Sequence, residues 1–502
     1  MTGSLLPLLV VVPLLGAALG ALVPGSIARM MLVLSPVLTT AGGVALLFTH
    51  SATPVLAHDV GGFVPGIAIP LVSDTLTAVM ITVTGLTATA CIVFALINGE
   101  ARLRFFPTLV MMLSAGVNGA LLTGDLFNLF VFIEVMLLPS YALIAMTGTW
   151  RRLGVGRLFV VVNLVTSTIL LIGVGLVYGV AGSVNLAVLT DVDADDPRFH
   201  LAVGVVVLAL TVKAGVVPMH GWLPRAYPAT SASVMALFSA LHTKVAIYAV
   251  FRIHQTVLDG AAEWMTLLLV LFTLTMLVGA YGSLGERMIR RSLAWQMIAG
   301  VGYILVGVGI GTQLGLAAGL FYMIHHILVM GSLLLGSGAI EHAYRTNQFV
   351  GLSGLMRREP LLAVIMALGM MSLIGFPPSS GFLGKVGIAR AAADLDDFQI
   401  WLVLGALLIA SIGTLLAMSR LWIGVFWGPP LEEMPSRGKG HNAPPVVPEG
   451  TRMRPRTLVP ASALLLVSLA IFVVPGPLWE LCLQAADGLL DVTAYVETLT
   501  AS

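Results

Sequence analysis

Charge is what this chain most lacks. Of its 502 residues only 10% are Asp, Glu, Lys or Arg, while 58% are hydrophobic. A water-soluble domain carries about 25% charged residues, so an ordinary soluble globule is excluded. The mean hydropathy of +1.01 points the same way. The net charge is +1 with no basic surface, which excludes nucleic acid as a partner. Cysteine is scarce too: Cys91 and Cys482 lie far apart, making neither a disulfide framework nor a metal site. No metal and no cofactor is expected. Polar stretches are short, and the longest gap between apolar runs, about 426–456, is rich in Pro, Gly and charge and reads as a loop. Glycine patterns such as "GVGIG" sit inside apolar runs and read as close helix packing, not as nucleotide loops.

What is present in abundance is apolar runs long enough to cross a bilayer, each of roughly 20 residues. Fourteen such spans are predicted, at about 4–23, 28–49, 74–97, 105–123, 126–148, 158–180, 201–221, 232–254, 264–284, 293–311, 314–340, 361–389, 400–425 and 457–475. The first run has no charged n-region and no clear cleavage site, so it reads as a retained helix. The segment 50–73, with Pro, Gly and alternating apolar residues, reads as a small external hairpin. The fold class expected is an all-α polytopic membrane protein.

Arginine and lysine then set the direction. Arg29, Arg102 and Arg104, Arg151, Arg152 and Arg157, Arg225, Arg287, Arg290 and Arg291, Arg345, Arg357 and Arg358, and the group from Arg437 to Arg456 fall in alternate loops. The other loops carry acids: Asp59, then Asp191, Asp193, Asp195 and Asp196, then Asp394, Asp396 and Asp397. Arg198, Arg252 and Arg390 break the bias. Fourteen spans with both termini outside the cytoplasm satisfy the pattern, whereas an odd number would invert half the loops.

Setting aside loop and helix-end charges, with Arg420 counted as snorkelling, leaves one acid and three cations inside spans: Glu134, Lys213, Lys244 and Lys385. The chain has only four lysines against 21 arginines, yet three of the four lie near the middle of predicted helices. Arginine keeps its proton in a protein, whereas burial lowers the pKa of a lysine by several units from about 10.4. Each intramembrane charge also costs roughly 2.5–3.5 kcal/mol on insertion scales. Groups this costly should pair or face water, and a set chosen for releasable protons suggests a proton path. A structural ion pair is the bland alternative for any single one of them. His242, two residues from Lys244, points to a different helix face. His325 and His326 lie on the eleventh span. Histidine titrates near neutrality, so all three are candidate relays, and each alone could equally be an interhelical hydrogen-bonding group.

Two spans are interrupted. In "KAGVVPMHGWLP" Pro218 removes a backbone donor between Gly215 and Gly221, and in "MSLIGFPPSSGFLGK" Gly375, Pro377, Pro378 and Gly381 do the same. Broken helices at membrane depth are tolerated where they face protein or a watery cavity. The breaks fall on spans seven and twelve, five apart, so two five-helix units would have opposite topology, as in an inverted repeat. The division expected is 1–104 for helices 1–3, 105–256 for the first repeat, 257–426 for the second, and 427–502 for a cytoplasmic loop, helix 14 and a C-terminal tail.

These residues resemble a known family, the antiporter-like subunits shared by Mrp-type multisubunit cation/proton antiporters and respiratory complex I. The resemblance covers most of the chain. It rests on Glu134 followed by Pro139, on Lys213 through Pro224, on "SASVMALFSALHTKVAIYAVFRI", "RRSLAWQMIAGVGYIL" and "YMIHHILVMGSLLL", and on "GFPPSSGFLGK". Wording and length resemble the D-type members. One departure is Met330, where relatives often place a lysine after the double histidine, so a relay there must use His325, His326 or water.

The resemblance implies that Glu134 pairs with Lys213 and keeps it protonated. When the carboxylate turns away or is neutralised, the lysine gives up its proton. Lys244 and the histidines then pass it laterally, and Lys385 is the terminal donor. It also implies a bacterial plasma membrane, partner subunits of types A, B, C, E, F and G, and protons as cargo, with sodium passage through this chain left open. The alternative is a proton-pumping subunit of a complex I or membrane-bound hydrogenase type assembly. A scaffold with inert titratable sites is a third reading. An ordinary solute carrier is disfavoured, since no polar pocket for an organic substrate is evident. No reading makes the chain an enzyme.

Overall fold

The computed structural model describes residues 2–63, 68–146, 150–192, 196–258, 260, 262–429 and 450–501. Among them, twelve helices are long and apolar enough to cross a membrane. Two shorter apolar helices, Phe106–Leu122 and Pro360–Ile374, take the fourth and twelfth places, so the expected fourteen spans are present. Several start on a side-chain cap that satisfies a free backbone donor of the first turn. Asp74 accepts from Thr77 N at 2.9 Å to start the third span (Thr75–Ile97), and Asp125 from Asn128 N at 2.7 Å to start the fifth (Leu126–Ala145). Ser231 and Thr312 do so for the eighth (Ala232–Thr256) and eleventh (Gln313–Tyr344).

The eighth, tenth (Ile289–Ile310) and eleventh spans form the buried centre, while the first, second and thirteenth lie outside with much of their surface exposed. The 32-residue eleventh span is the axis. It packs against the third, eighth, tenth and fourteenth spans and both halves of the twelfth. Glycine makes the close approach possible: a Cβ on Gly307 would fall 2.8 Å from the Gly319 backbone. "GVGIG" is thus a helix-packing surface. Lys244, His325 and His326 all lie on central helices, shielded from lipid on every side.

On one face, the strands Leu56–Val60 and Ile69–Ser73 pair antiparallel, giving the expected hairpin. Thr123 bridges to Leu71, and Asp125 to Asn185. Two helices, Gly476–Leu490 and Thr493–Ala501, pack on this same face. They form the part of the chain that follows the fourteenth span. The first is 15 residues, too short to read as a span, but it buries Cys482, Ala485, Ala486 and Leu489 at helical spacing against the third, eighth and eleventh spans. The opposite face holds the arginine-rich loops. There Ile289 N donates to Asn347 O, Arg358 Nε to Thr451 O, and Met453 N to Glu359. Of the basic group in the long loop and the acids before the seventh span, residues 430–449, Asp193 and Asp195 lie outside the described residues.

The structure gives a reason for Arg252, one of the three arginines that break the charge bias. It is buried near the end of the eighth span, with Nη2 2.6 Å from Asp74 Oδ2 and the guanidinium 5.1 Å from the Tyr495 ring centroid. Burial works against the charge on Asp74, but Arg252 and the Thr77 amide outweigh it and hold the carboxyl below its ordinary range. The pair ties the start of the third span to the end of the eighth and to the last helix. Arg290 is likewise buried, bonded to Glu341 at 2.7 Å and to the Thr230 carbonyl at 2.5 Å.

Candidate ion-translocation site

The seventh span is helical over Pro197–Ala214 and stops where Gly215 turns left-handed, at φ 86°. Lys213 therefore lies in the last turn of a half-helix, not in the middle of a continuous span. The twelfth is helical over Pro360–Ile374, stops at Gly375 with φ 89°, and resumes at Ser380–Ala391. Only glycine takes this conformation without strain. The bonds preceding Pro218 and Pro378 are cis, and Pro377 and Pro378 both lie in the gap.

Each break leaves free carbonyl oxygens at a helix end, and the two halves of the chain satisfy them differently. At the first, the Trp222 indole donates to Val212 O at 3.1 Å. At the second, the Lys385 ammonium donates to Ile374 O at 2.8 Å. Lys385 also donates to Ser411 Oγ at 2.9 Å and to Tyr303 Oη at 3.2 Å. No described lysine forms a salt bridge.

Glu134 and Lys213 are brought together, but not in direct contact. Ser167, on the sixth span (Gly154–Ala181), stands between them: its hydroxyl donates to Glu134 Oε1 and accepts from Lys213 Nζ at 2.9 Å. Ser167 was not found by reading charges. Glu134 is half-buried and shares an outward stripe of its helix with exposed Phe127, Val131 and Leu138. Beside Lys213 is a cavity of about 10 Å³, lined also by Asn163, Trp222, Tyr227 and His242. That is room for about one water.

His242 belongs to this cavity rather than to Lys244, as its position two residues away implied. Its Nε2 lies 2.7 Å from Ser140 Oγ. Ser140 spends its only proton on Met136 O, so His242 is the donor. Lys244 is fully buried, and its one hydrogen bond is a long 3.4 Å contact to Thr243 Oγ1. Between Lys244 and Lys385 lie His325 and His326, both fully buried. His325 Nδ1 pairs with Ser380 Oγ at 2.8 Å, and Ser380 with Ser468 at 2.7 Å. The rings of Tyr303 and Tyr322 are 5.0 Å apart, and those of Tyr322 and His325 5.1 Å. Lys385 therefore reaches the histidines through two tyrosines. Neither tyrosine was anticipated, although Tyr322 stands three and four residues before the histidines, on their helix face.

Buried polar atoms are more than nine-tenths satisfied in native proteins. Here His325 Nε2, Gln296 Nε2 and Ser372 Oγ have no hydrogen-bond partner among the described residues, and the His326 ring has no side-chain partner there. They place unpaired donors and acceptors around the two histidines, whose rings pack against Gly300 and Gly381. Met330 is buried on the same span as the histidines and adds no polar group.

The fold and the site define a multi-pass membrane protein with two broken spans and a buried line of lysine, histidine and hydroxyl groups. Residues 123–411 match the family described as NADH:quinone oxidoreductase/Mrp antiporter, transmembrane. The chain is 34% identical to the D-type subunit of a Na(+)/H(+) antiporter from Alkalihalophilus pseudofirmus, over 88% of this chain and 87% of that one. It is 35% identical to the corresponding D-type Na(+)/H(+) antiporter subunit of Bacillus subtilis, over 80% and 79%. It matches a chain of the Mrp complex from Dietzia sp. DQ12-45-1b with TM-score 0.93 and 41% identity, covering 100% of both. The chain belongs to the NADH:quinone oxidoreductase/Mrp antiporter transmembrane family.

Proposed function

We propose that this chain is the proton-translocating subunit of a multisubunit monovalent cation/proton antiporter, assembled with the other Mrp-type subunits in a bacterial plasma membrane. The observation that carries the reading is the set of three buried lysines. None is neutralised by direct contact with a described carboxylate: Ser167 and His242 stand beside Lys213, His325 and His326 lie between Lys244 and Lys385, and Tyr303 and Tyr322 pack between Lys385 and His325. A structural ion pair would be closed and complete; here no described lysine meets a carboxylate directly, and unpaired polar atoms remain around the histidines.

The sequence of events follows from the groups. With Glu134 ionised nearby, Lys213 holds its proton. When Glu134 is neutralised or moves, Lys213 releases it into the cavity it shares with His242. Lys244 receives it, the histidines and the water they bind carry it on, and Lys385 delivers it at the second break. Glu134 faces outward, which suits control by a neighbouring subunit. Matched breaks five spans apart support two inverted repeats, 105–256 and 257–426. The arginine asymmetry supports both termini on the extracytoplasmic side. The role is transport, with no chemical transformation.

The test is exchange in everted vesicles carrying the complete complex. Lys213→Arg keeps the charge and cannot cycle its proton, so sodium-driven proton exchange should fall more than tenfold with assembly intact. Full exchange would end the carrier role. If exchange instead requires an added electron donor, the pump of a redox complex is the better account.

A further inference from the structure

We propose that Ser167 is the positioning residue through which Glu134 acts on Lys213, a two-position hydroxyl switch that makes and breaks their coupling. The proposal rests on the reading of Lys213 as a proton carrier and adds a residue to it.

The argument is a count of protons. A serine hydroxyl has one hydrogen and two acceptor sites. Within a helix it usually bonds back to the carbonyl four residues earlier. The flanking residues do so: Thr166 donates to Val162 O at 2.6 Å and Thr168 to Leu164 O at 2.9 Å. Ser140, the hydrogen-bond partner of His242, does so at 2.7 Å. Ser167 does not. Its hydrogen goes to Glu134 Oε1, and that leaves a lone pair for the Lys213 ammonium at 2.9 Å. The hydroxyl is buried, so no bulk water competes for it.

Two states follow. With Glu134 ionised, the hydroxyl points at the carboxylate and presents its oxygen to Lys213, so the negative charge is felt by the ammonium through an oriented dipole. With Glu134 protonated or withdrawn, the hydroxyl has its own helix's Asn163 carbonyl as the ordinary alternative, four residues back. Lys213 then loses its acceptor and its proton is freed toward the cavity. The same bridge can also pass a proton. One N–H bond of Lys213 breaks as an O–H bond forms on Ser167, and the former hydroxyl hydrogen passes to Glu134, leaving amine, hydroxyl and carboxylic acid all neutral.

The experiment uses the full complex in everted vesicles, with proton exchange followed by a pH-sensitive dye across a range of pH and subunit levels measured in parallel. S167A is expected to lose at least tenfold in rate and to displace the pH profile. S167T, which keeps the hydroxyl, is expected to retain at least half the rate and the native profile. Because Ser167 acts only between Glu134 and Lys213, S167A combined with E134Q should be no slower than the slower single variant. S167A within twofold of native, equal loss in S167A and S167T, or losses that multiply in the double variant would each overturn the switch. K213A separates the two claims. If K213A exchanges normally, the carrier reading itself fails. If K213A is inactive while S167A is near native, only the role of Ser167 fails.

Discussion

Lys385 and Ile374 are joined across the second break: the ammonium sits 2.8 Å from the carbonyl that ends the first half-helix. A cation at a helix C-terminus is favoured by the partial negative charge there. That end takes the place of the carboxylate that Lys385 lacks. Gly375 makes the arrangement possible twice over. Its φ of 89° suits glycine, and a Cβ there would lie 2.8 Å from Lys385 Cδ. Gly375→Ala should therefore destabilise the chain by about 1–3 kcal/mol and displace the lysine. Proton exchange should fall at least fivefold even though every titratable residue is intact, and vesicle assays normalised to assembled complex measure it.

A second glycine tests the histidine segment in the same way. A methyl on Gly300 would collide with the His326 ring. Gly300→Ala should reduce exchange about as much as His326→Ala does. If Gly300→Ala leaves exchange untouched while His326→Ala abolishes it, the ring's position is not what matters.

The Asp74–Arg252 pair predicts stability rather than transport. Removing one partner of a buried ion pair costs about 3–5 kcal/mol, because the other charge stays buried. Asp74→Asn should lower the thermal midpoint of the purified complex clearly. The sign with pH is fixed by a carboxyl held below its ordinary range. Its contribution is complete above the unfolded carboxylate pKa of about 3.9 and is lost as pH falls through the folded value. The native protein should thus lose stability in acid more steeply than Asp74→Asn, in melting curves recorded from pH 7 downward.

How much of this was legible in the sequence depends on the kind of signal. Length and hydropathy place fourteen spans, since a bilayer imposes one length on every helix. Charge in an apolar run exposes Glu134 and the three lysines, because each carries a free-energy cost that packing alone does not explain. Gly and Pro mark both breaks. Hydroxyls give no such warning. Ser167 looks like its neighbours Thr166 and Thr168, and only the direction of its hydrogen sets it apart. Tyr303 and Tyr322 read as ordinary aromatic core. Arg252 stands out in the sequence only as an exception to the charge bias, because its partner Asp74 is 178 residues away in the chain. The C-terminal helices were missed because amphipathic segments of 15 and nine residues carry too little hydropathy to stand out.

The outward stripe of the fifth span has a consequence for biogenesis. Phe127, Val131 and Leu138 suit acyl chains, but half-buried Glu134 in their midst does not. A newly inserted copy without company presents an acid to hydrocarbon, at a cost of kilocalories. Covering that stripe with a neighbouring helix would relieve the cost, so the fifth span carries within itself a penalty for being left exposed.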